Sequence, residues 1–283
     1  MRAVSVFKSA EGKNAILGVY DSLLEKWPIP YEKYVLKTGQ GDTFAVVCGE
    51  KTLPALLLLH GSSSNSAMWI ADISEYAAHF RVYAVDIPGE PGKSADVRPD
   101  LKTSAYSDWL NDVLDGLCID KASFAGISLG GWVCLKFAAA HPDRVSMLAL
   151  LCPAGIGPQK ASVMLYAMLM KPLGKKGEDK LIRKVMGSAE ITDETVEYSR
   201  LISKNFSPYL GEVPIIEDDE LGRIICPVLL IAGQKDVLIN TEKTVKRANK
   251  TLPQAVVVTL PNAGHGLIDQ RERILPFLMG IDK

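Results

Sequence analysis

At 283 residues with 47% apolar side chains, the chain can bury a large core and reads as one domain carrying an insertion. Thirty-two basic and thirty-three acidic side chains leave a formal charge of -1, which offers no electrostatic footprint for nucleic acid or an anionic membrane. No apolar run approaches the roughly 20 residues of a membrane span, and Met1 to Lys8 lack the apolar core and cleavage site of a secretory signal. The five cysteines (48, 118, 134, 152, 226) are odd in number and contain no C-x-x-C pair. They read as free thiols in a reducing compartment, so a cytoplasmic protein is expected.

In chain order, Ile16, Val19, Tyr20, Leu23, Leu24 and Trp27 recur at helical spacing over about 13–27, and Pro28 and Pro30 end the pattern. Without a basic face, this helix is expected to pack on the main body rather than lie on a membrane. Tyr34–Leu36 and Phe44–Cys48 are strand-like, with a turn at Gly39 to Gly41 between them, and can pair antiparallel at one sheet edge. Then the chain alternates. Ala55–Leu59, Val82–Val85, Ala122–Ala125, Met147–Leu151, Val228–Ile231 and Ala255–Thr259 are apolar runs of the kind found in strands buried on both faces. Helix-like segments lie near 66–78, 104–117, 129–140, 240–251 and 270–280. The alternation predicts an α/β fold with a doubly wound, mostly parallel sheet.

Between about 153 and 226 the alternation stops, and only helix-like runs occur, at about 160–171, 176–186 and 192–204. This stretch reads as a helical cap inserted after the sixth strand, over the strand carboxyl ends, leaving 1–152 and 227–283 as the core. Ordinary connecting helices are the alternative. Its run Val163 to Met170 is apolar around the whole circumference, which suits either buried core or a pocket wall built on Met164 and Met168.

The chemistry-bearing motif is Gly126-Ile127-Ser128-Leu129-Gly130-Gly131, set between a strand and a helix. A Gly-x-Ser-x-Gly at such a junction describes a nucleophile elbow, where glycines replace side chains that would collide across a tight turn. A serine needs a base, and the base needs an orienting acid. Of four histidines, His60 ends a strand, His79 enters one, and His141 closes the helix after Ser128. His265 alone sits in a glycine-flanked loop beyond the last strand. Asp236 follows the strand Val228–Gly233 and is the candidate acid, unless it is a turn aspartate serving its own backbone. The amides of Leu129, at the helix start, and Ser62, in the small-residue loop Gly61 to Ser64, are the candidate oxyanion donors, although a plain polar turn has the same letters.

With His60-Gly61, Asp86 to Ser94, the Ser128 elbow, Asp236 and His265 in this order, the chain resembles the α/β-hydrolase fold proteins of the carboxylesterase-like group. The resemblance covers about 45–152 and 215–283. It implies a serine hydrolase acting on a small carboxylic ester through an acyl-enzyme, with no cofactor. Asp86 to Ser94 is then a structural turn, and its Lys93-Ser94 is not a P-loop. Serine at 128 argues against the dehalogenases and epoxide hydrolases of this fold, which place aspartate there. Carbon–carbon bond hydrolases, cofactor-free haloperoxidases and slow-turnover receptors of the fold share the triad and stay open. No H-E-x-x-H or Cys/His cluster suggests a metal.

Overall fold

The computed structural model describes residues 5–187, 189, 191–267 and 269–281, without the side chains of 163–165. Helix α1 (Ala10–Glu25) starts at Ser9, whose Oγ accepts the Gly12 amide, and buries Ile16, Tyr20 and Leu24 along one face. Strands β1 (Tyr31–Thr38) and β2 (Gly41–Cys48) form an antiparallel hairpin, longer than their apolar cores suggested. After β3 (Ala55–Leu59), the single helix expected over 66–78 is a 3₁₀ turn at Ser66–Trp69 followed by α2 (Ile73–Ala77). Asp86 anchors the start of the 3₁₀ turn, its Oδ1 accepting both the amide and the hydroxyl of Ser66.

The alternation then continues through β4 (Arg81–Val85), α3 (Ala105–Gly116), β5 (Ala122–Ile127), α4 (Leu129–Ala140) and β6 (Val145–Leu151). Four helices separate β6 from the next strand: α5 (Ser162–Met170), α6 (Gly174–Met186), α7 (Asp193–Asn205) and the short α8 (Asp218–Leu221). Only α8 had no counterpart in the sequence pattern. The chain closes with β7 (Val228–Gly233), α9 (Thr241–Thr251), β8 (Ala255–Leu260) and α10 (Arg271–Leu278).

All eight strands form one sheet in the order β1-β2-β4-β3-β5-β6-β7-β8, and only β2 runs against the rest. Right-handed crossovers put α2 on one face and α3, α4 and α9 on the other. Helix α10 packs beside α2 on the first face. Because both faces are covered, β3, β5 and β7 are apolar and almost wholly buried. β8 departs from that expectation. It has one neighbour, its residues are only half-buried, and Val256 is exposed.

The strand order reverses direction at β3, which lies between β4 and β5. Chain leaving β3 crosses to one side and chain leaving β5 crosses to the other, so a crevice opens beyond their carboxyl ends. Ser62 and Ser128 follow those two ends. A second, small cluster of Val6, Phe7, Ile16, Ile202 and Phe206 ties α1 to α7, so the N-terminal helix packs on the inserted helices as well as the core.

Candidate active site

The elbow at Ser128 is a close approach of three backbone segments. A Cβ at Gly126 would lie 2.6 Å from the Gly130 carbonyl oxygen, and one at Gly130 would lie 2.3 Å from that of Leu59. Ser128 itself has φ 53° and ψ -110°, which for a residue with a side chain costs about 1–3 kcal/mol. Three backbone bonds hold it there. Its amide donates to Leu151 at 2.9 Å, and its carbonyl accepts from Trp132 at 3.0 Å and Ala154 at 3.1 Å.

The Trp132-to-Ser128 bond is the first of α4, so the amides of Leu129, Gly130 and Gly131 have no acceptor inside the helix. Leu129 lines the crevice beside Ser128. Ser62 lines it from the loop after β3, and among the described residues its amide has no hydrogen-bond partner. His60, fully buried, shapes that loop: the Ile87 amide donates to Nε2 at 2.9 Å, so the proton sits on Nδ1, 2.8 Å from the Gly61 carbonyl. Burial pushes its pKa below the ordinary histidine range, against the pull of Asp86 and the Gly61 carbonyl.

His265 and Asp236 meet across the loops after β8 and β7. Their Nδ1–Oδ2 distance is 2.8 Å, and the other carboxylate oxygen accepts the amides of Leu238 at 2.7 Å and Ile239 at 2.9 Å. Burial raises the Asp236 carboxyl, but the hydrogen bond and charge of His265 and these two amides outweigh it and hold the group below the usual carboxylate range. An ionised Asp236 can only accept, so Nδ1 carries a proton towards it, and in the neutral imidazole Nε2 is the nitrogen left free to accept. The His265 amide donates to the Val185 carbonyl at 3.1 Å, so the end of α6 braces this loop. His79 is exposed, and His141 caps α4 with its ring 5.0 Å from that of Phe137.

A cavity of about 260 Å³ joins Ser62, Ser128, Leu129 and His265. Asp236 stands behind His265, with its side chain 1% exposed. The inserted stretch contributes walls at Gln159 to Ala161 and Tyr209 to Val213. Helix α5 is not where the pocket expectation placed it. Met168 is 71% exposed and absent from the described lining, and the Met164 side chain lies outside the described residues. Among the described side chains of α5, Ser162, Met168 and Leu169 are exposed and Tyr166, Ala167 and Met170 are half-buried, so these residues form neither the pocket wall expected at Met168 nor buried core.

A model of the alpha/beta hydrolase family matches residues 56–276. The chain belongs to that family. Carboxylesterase YbfK of Bacillus subtilis (strain 168) is 30% identical to the hydrolase over 298 aligned positions, covering 97% of each chain. The crystal structure of that carboxylesterase, CesB (YbfK), superposes with a TM-score of 0.85 over 96% of this chain and 99% of the other. Naproxen esterase (carboxylesterase NP) of Bacillus subtilis gives a TM-score of 0.85 at 26% identity, over 97% of this hydrolase and 99% of that chain.

Two features of the hydrolase's site were not visible in its sequence. Glu90, from the turn read as purely structural, lies in the cavity wall with Arg98. Cys152 brings its thiol within 4.8 Å of the ligand atoms of Asp236 and His265. Burial pushes that thiol well above the ordinary cysteine range, and a metal ligand must be the thiolate. The aspartate and histidine meanwhile spend their facing atoms on each other.

Proposed function

We propose that this hydrolase cleaves a small carboxylic ester through an acyl-enzyme on Ser128. The observation that carries the reading is the 2.8 Å bond between His265 and Asp236 at the cavity that also takes in Ser128. His265 Nε2 removes the hydroxyl proton as Ser128 Oγ attacks the carbonyl carbon, and Asp236 steadies the imidazolium. The oxyanion is held by the amides of Ser62 and Leu129. Collapse releases the alcohol, which takes its proton from His265, and water then repeats the sequence to free the acid.

A volume near 260 Å³ falls below the roughly 300–1,000 Å³ of sites for drug-sized ligands, which supports a small substrate. The likeness to proteins named carboxylesterases supports ester chemistry over the other reactions of the fold. Residues 153–226 act as a cap, a role favoured by the walls that 159–161 and 209–213 supply. Five free thiols, with Cys118 exposed, favour a reducing, cytoplasmic setting. No helix among the described residues is long and apolar enough to cross a membrane.

The test is pre-steady-state release of p-nitrophenol from p-nitrophenyl acetate. A burst matching the enzyme concentration, lost in Ser128→Ala, is expected; steady turnover that survives in Ser128→Ala contradicts the reading.

A further inference from the structure

The turn from Asp86 to Ser94 holds one side chain at the catalytic cavity that the proposed mechanism does not use. Glu90 is buried, with its side chain 0% exposed, yet it carries a carboxyl group. A buried carboxylate is costly unless its oxygens are fully bonded. Here the bonding is lopsided. Oε2 accepts the Ser63 amide at 2.6 Å and faces the Ser62 hydroxyl at 3.5 Å. Oε1 has only the Arg98 guanidinium, with Nε 3.8 Å away, and neither of these two atoms has a hydrogen-bond partner among the described residues. Residues selected for packing alone would not leave such a group in a cavity wall.

The segment it grips is the one that matters for catalysis. Ser63 has φ +57°, a left-handed conformation that disfavours a side chain. One peptide unit earlier, the Gly61–Ser62 peptide carries the Ser62 amide, the proposed oxyanion donor of the β3 loop. Glu90 is itself rigidly placed. The Gly89 amide donates to Ala95 at 2.8 Å, that of Gly92 donates to the Glu90 carbonyl at 2.8 Å, and Asn65 Nδ2 donates to the Pro91 carbonyl at 2.9 Å. The last bond ties the two loops together.

We propose that Glu90 is a positioning residue for the oxyanion hole: its buried carboxyl pins the Ser63 amide and so fixes the Ser62 peptide at the cavity. The proposal rests on the acyl-enzyme reading above. Glu90 does not touch the reacting atoms; it acts through the loop. Loss of the grip lets Ser63 relax to an ordinary φ and turns the Ser62 amide away from the charge it must meet.

The experiment compares Glu90→Ala, Glu90→Gln and Ser128→Ala with the parent, using p-nitrophenyl acetate as substrate and phenylboronic acid as tetrahedral probe. Ser128 Oγ adds to boron, its proton passes to His265, and the resulting boronate anion needs the oxyanion donors. Glu90→Ala should lower kcat by about 10- to 100-fold with KM little changed, and weaken phenylboronic acid by a similar factor. Glu90→Gln, whose amide oxygen can still accept from Ser63, should recover most of both losses. Parental kcat and boronate affinity in Glu90→Ala overturn the proposal. So does a loss in KM alone, or an equal loss in Ala and Gln. If Glu90→Ala does not fold, Glu90→Asp carries the test, since its shorter side chain withdraws the carboxylate from Ser63 and should reproduce the kcat loss; parental kcat there overturns the proposal equally. Turnover persisting in Ser128→Ala would instead sink the underlying reading and leave the Glu90 comparison without its premise.

Discussion

Replacing Asp236 with asparagine changes one atom's chemistry and almost no volume. Oδ1 can keep the amides of Leu238 and Ile239, now at 2.7 and 2.9 Å, so the loop has no reason to move. The position of Oδ2, 2.8 Å from His265 Nδ1, can be taken by an NH₂ group, which is a donor. His265 must then accept at Nδ1 and carry its proton on Nε2, where it cannot take one from Ser128. Loss of the correct tautomer in a triad costs up to about 10⁴ in kcat, or roughly 5 kcal/mol of barrier. Stability changes in the same variant for a separate reason. The folded protein holds the Asp236 carboxyl below its unfolded value, so the parent gains stability above the unfolded value and loses it as pH falls through the folded one. The neutral asparagine lacks that contribution, and the stability gap between the two proteins should close towards acid pH. The assay is p-nitrophenyl acetate hydrolysis beside thermal melts from pH 3 to 8. Turnover within about tenfold of the parent, with melts showing a folded variant, would refute this reasoning and move the orienting role elsewhere.

Glu90 predicts the opposite pH signature. Burial pushes its carboxyl up to about 7, against the pull of the Ser63 amide, the Arg98 guanidinium and the Ser62 hydroxyl. The fold therefore keeps a proton that the unfolded chain releases from about 4.5, and parental stability should fall relative to Glu90→Gln by up to about 3 kcal/mol between pH 4.5 and 7. Arg98, Tyr106, Lys160, Glu212 and His265 line the same cavity in both proteins, and a pH-independent gap in melting temperature contradicts the assignment. On substrate choice, each buried methylene gains roughly 0.8 kcal/mol until the cavity is full, so kcat/KM should climb over short acyl chains and then drop. Val213→Trp, at a half-buried position in the cavity wall, should shift that optimum to shorter acyl groups, and an unchanged profile would place the acyl group elsewhere.

What the sequence made legible was local. The elbow could be read because Gly126, Ser128 and Gly130 fall within one five-residue motif, although the approach of Gly130 to Leu59 that it permits is a distant contact. His265 emerged by elimination among four histidines, and Asp236 by its place after a strand; the fold then brings their side chains into contact. What stayed hidden depends on distant contacts. Asp86 anchors the 3₁₀ turn at Ser66 from twenty residues away. Glu90 enters the cavity wall because loops after β3 and β4 are tied through Asn65 and Pro91, which no periodicity encodes. The pocket walls at 159–161 and 209–213 are irregular chain, whereas the apolar letters of α5 drew attention to a helix with Met168 in solvent. The bracing of the His265 loop by Val185 joins a helix end to a segment eighty residues later. Edge position, not composition, leaves β8 half-exposed.

The central claim is that Ser128 is a nucleophile activated by His265. Labelling with a fluorophosphonate, followed by peptide mapping, tests it most directly, because the reagent needs the activated oxygen but no particular substrate fit. The expected result is one modified residue, Ser128, with labelling abolished in Ser128→Ala and slowed severely in His265→Ala while both variants remain folded. Labelling that persists in Ser128→Ala, or maps to another serine, would contradict the account.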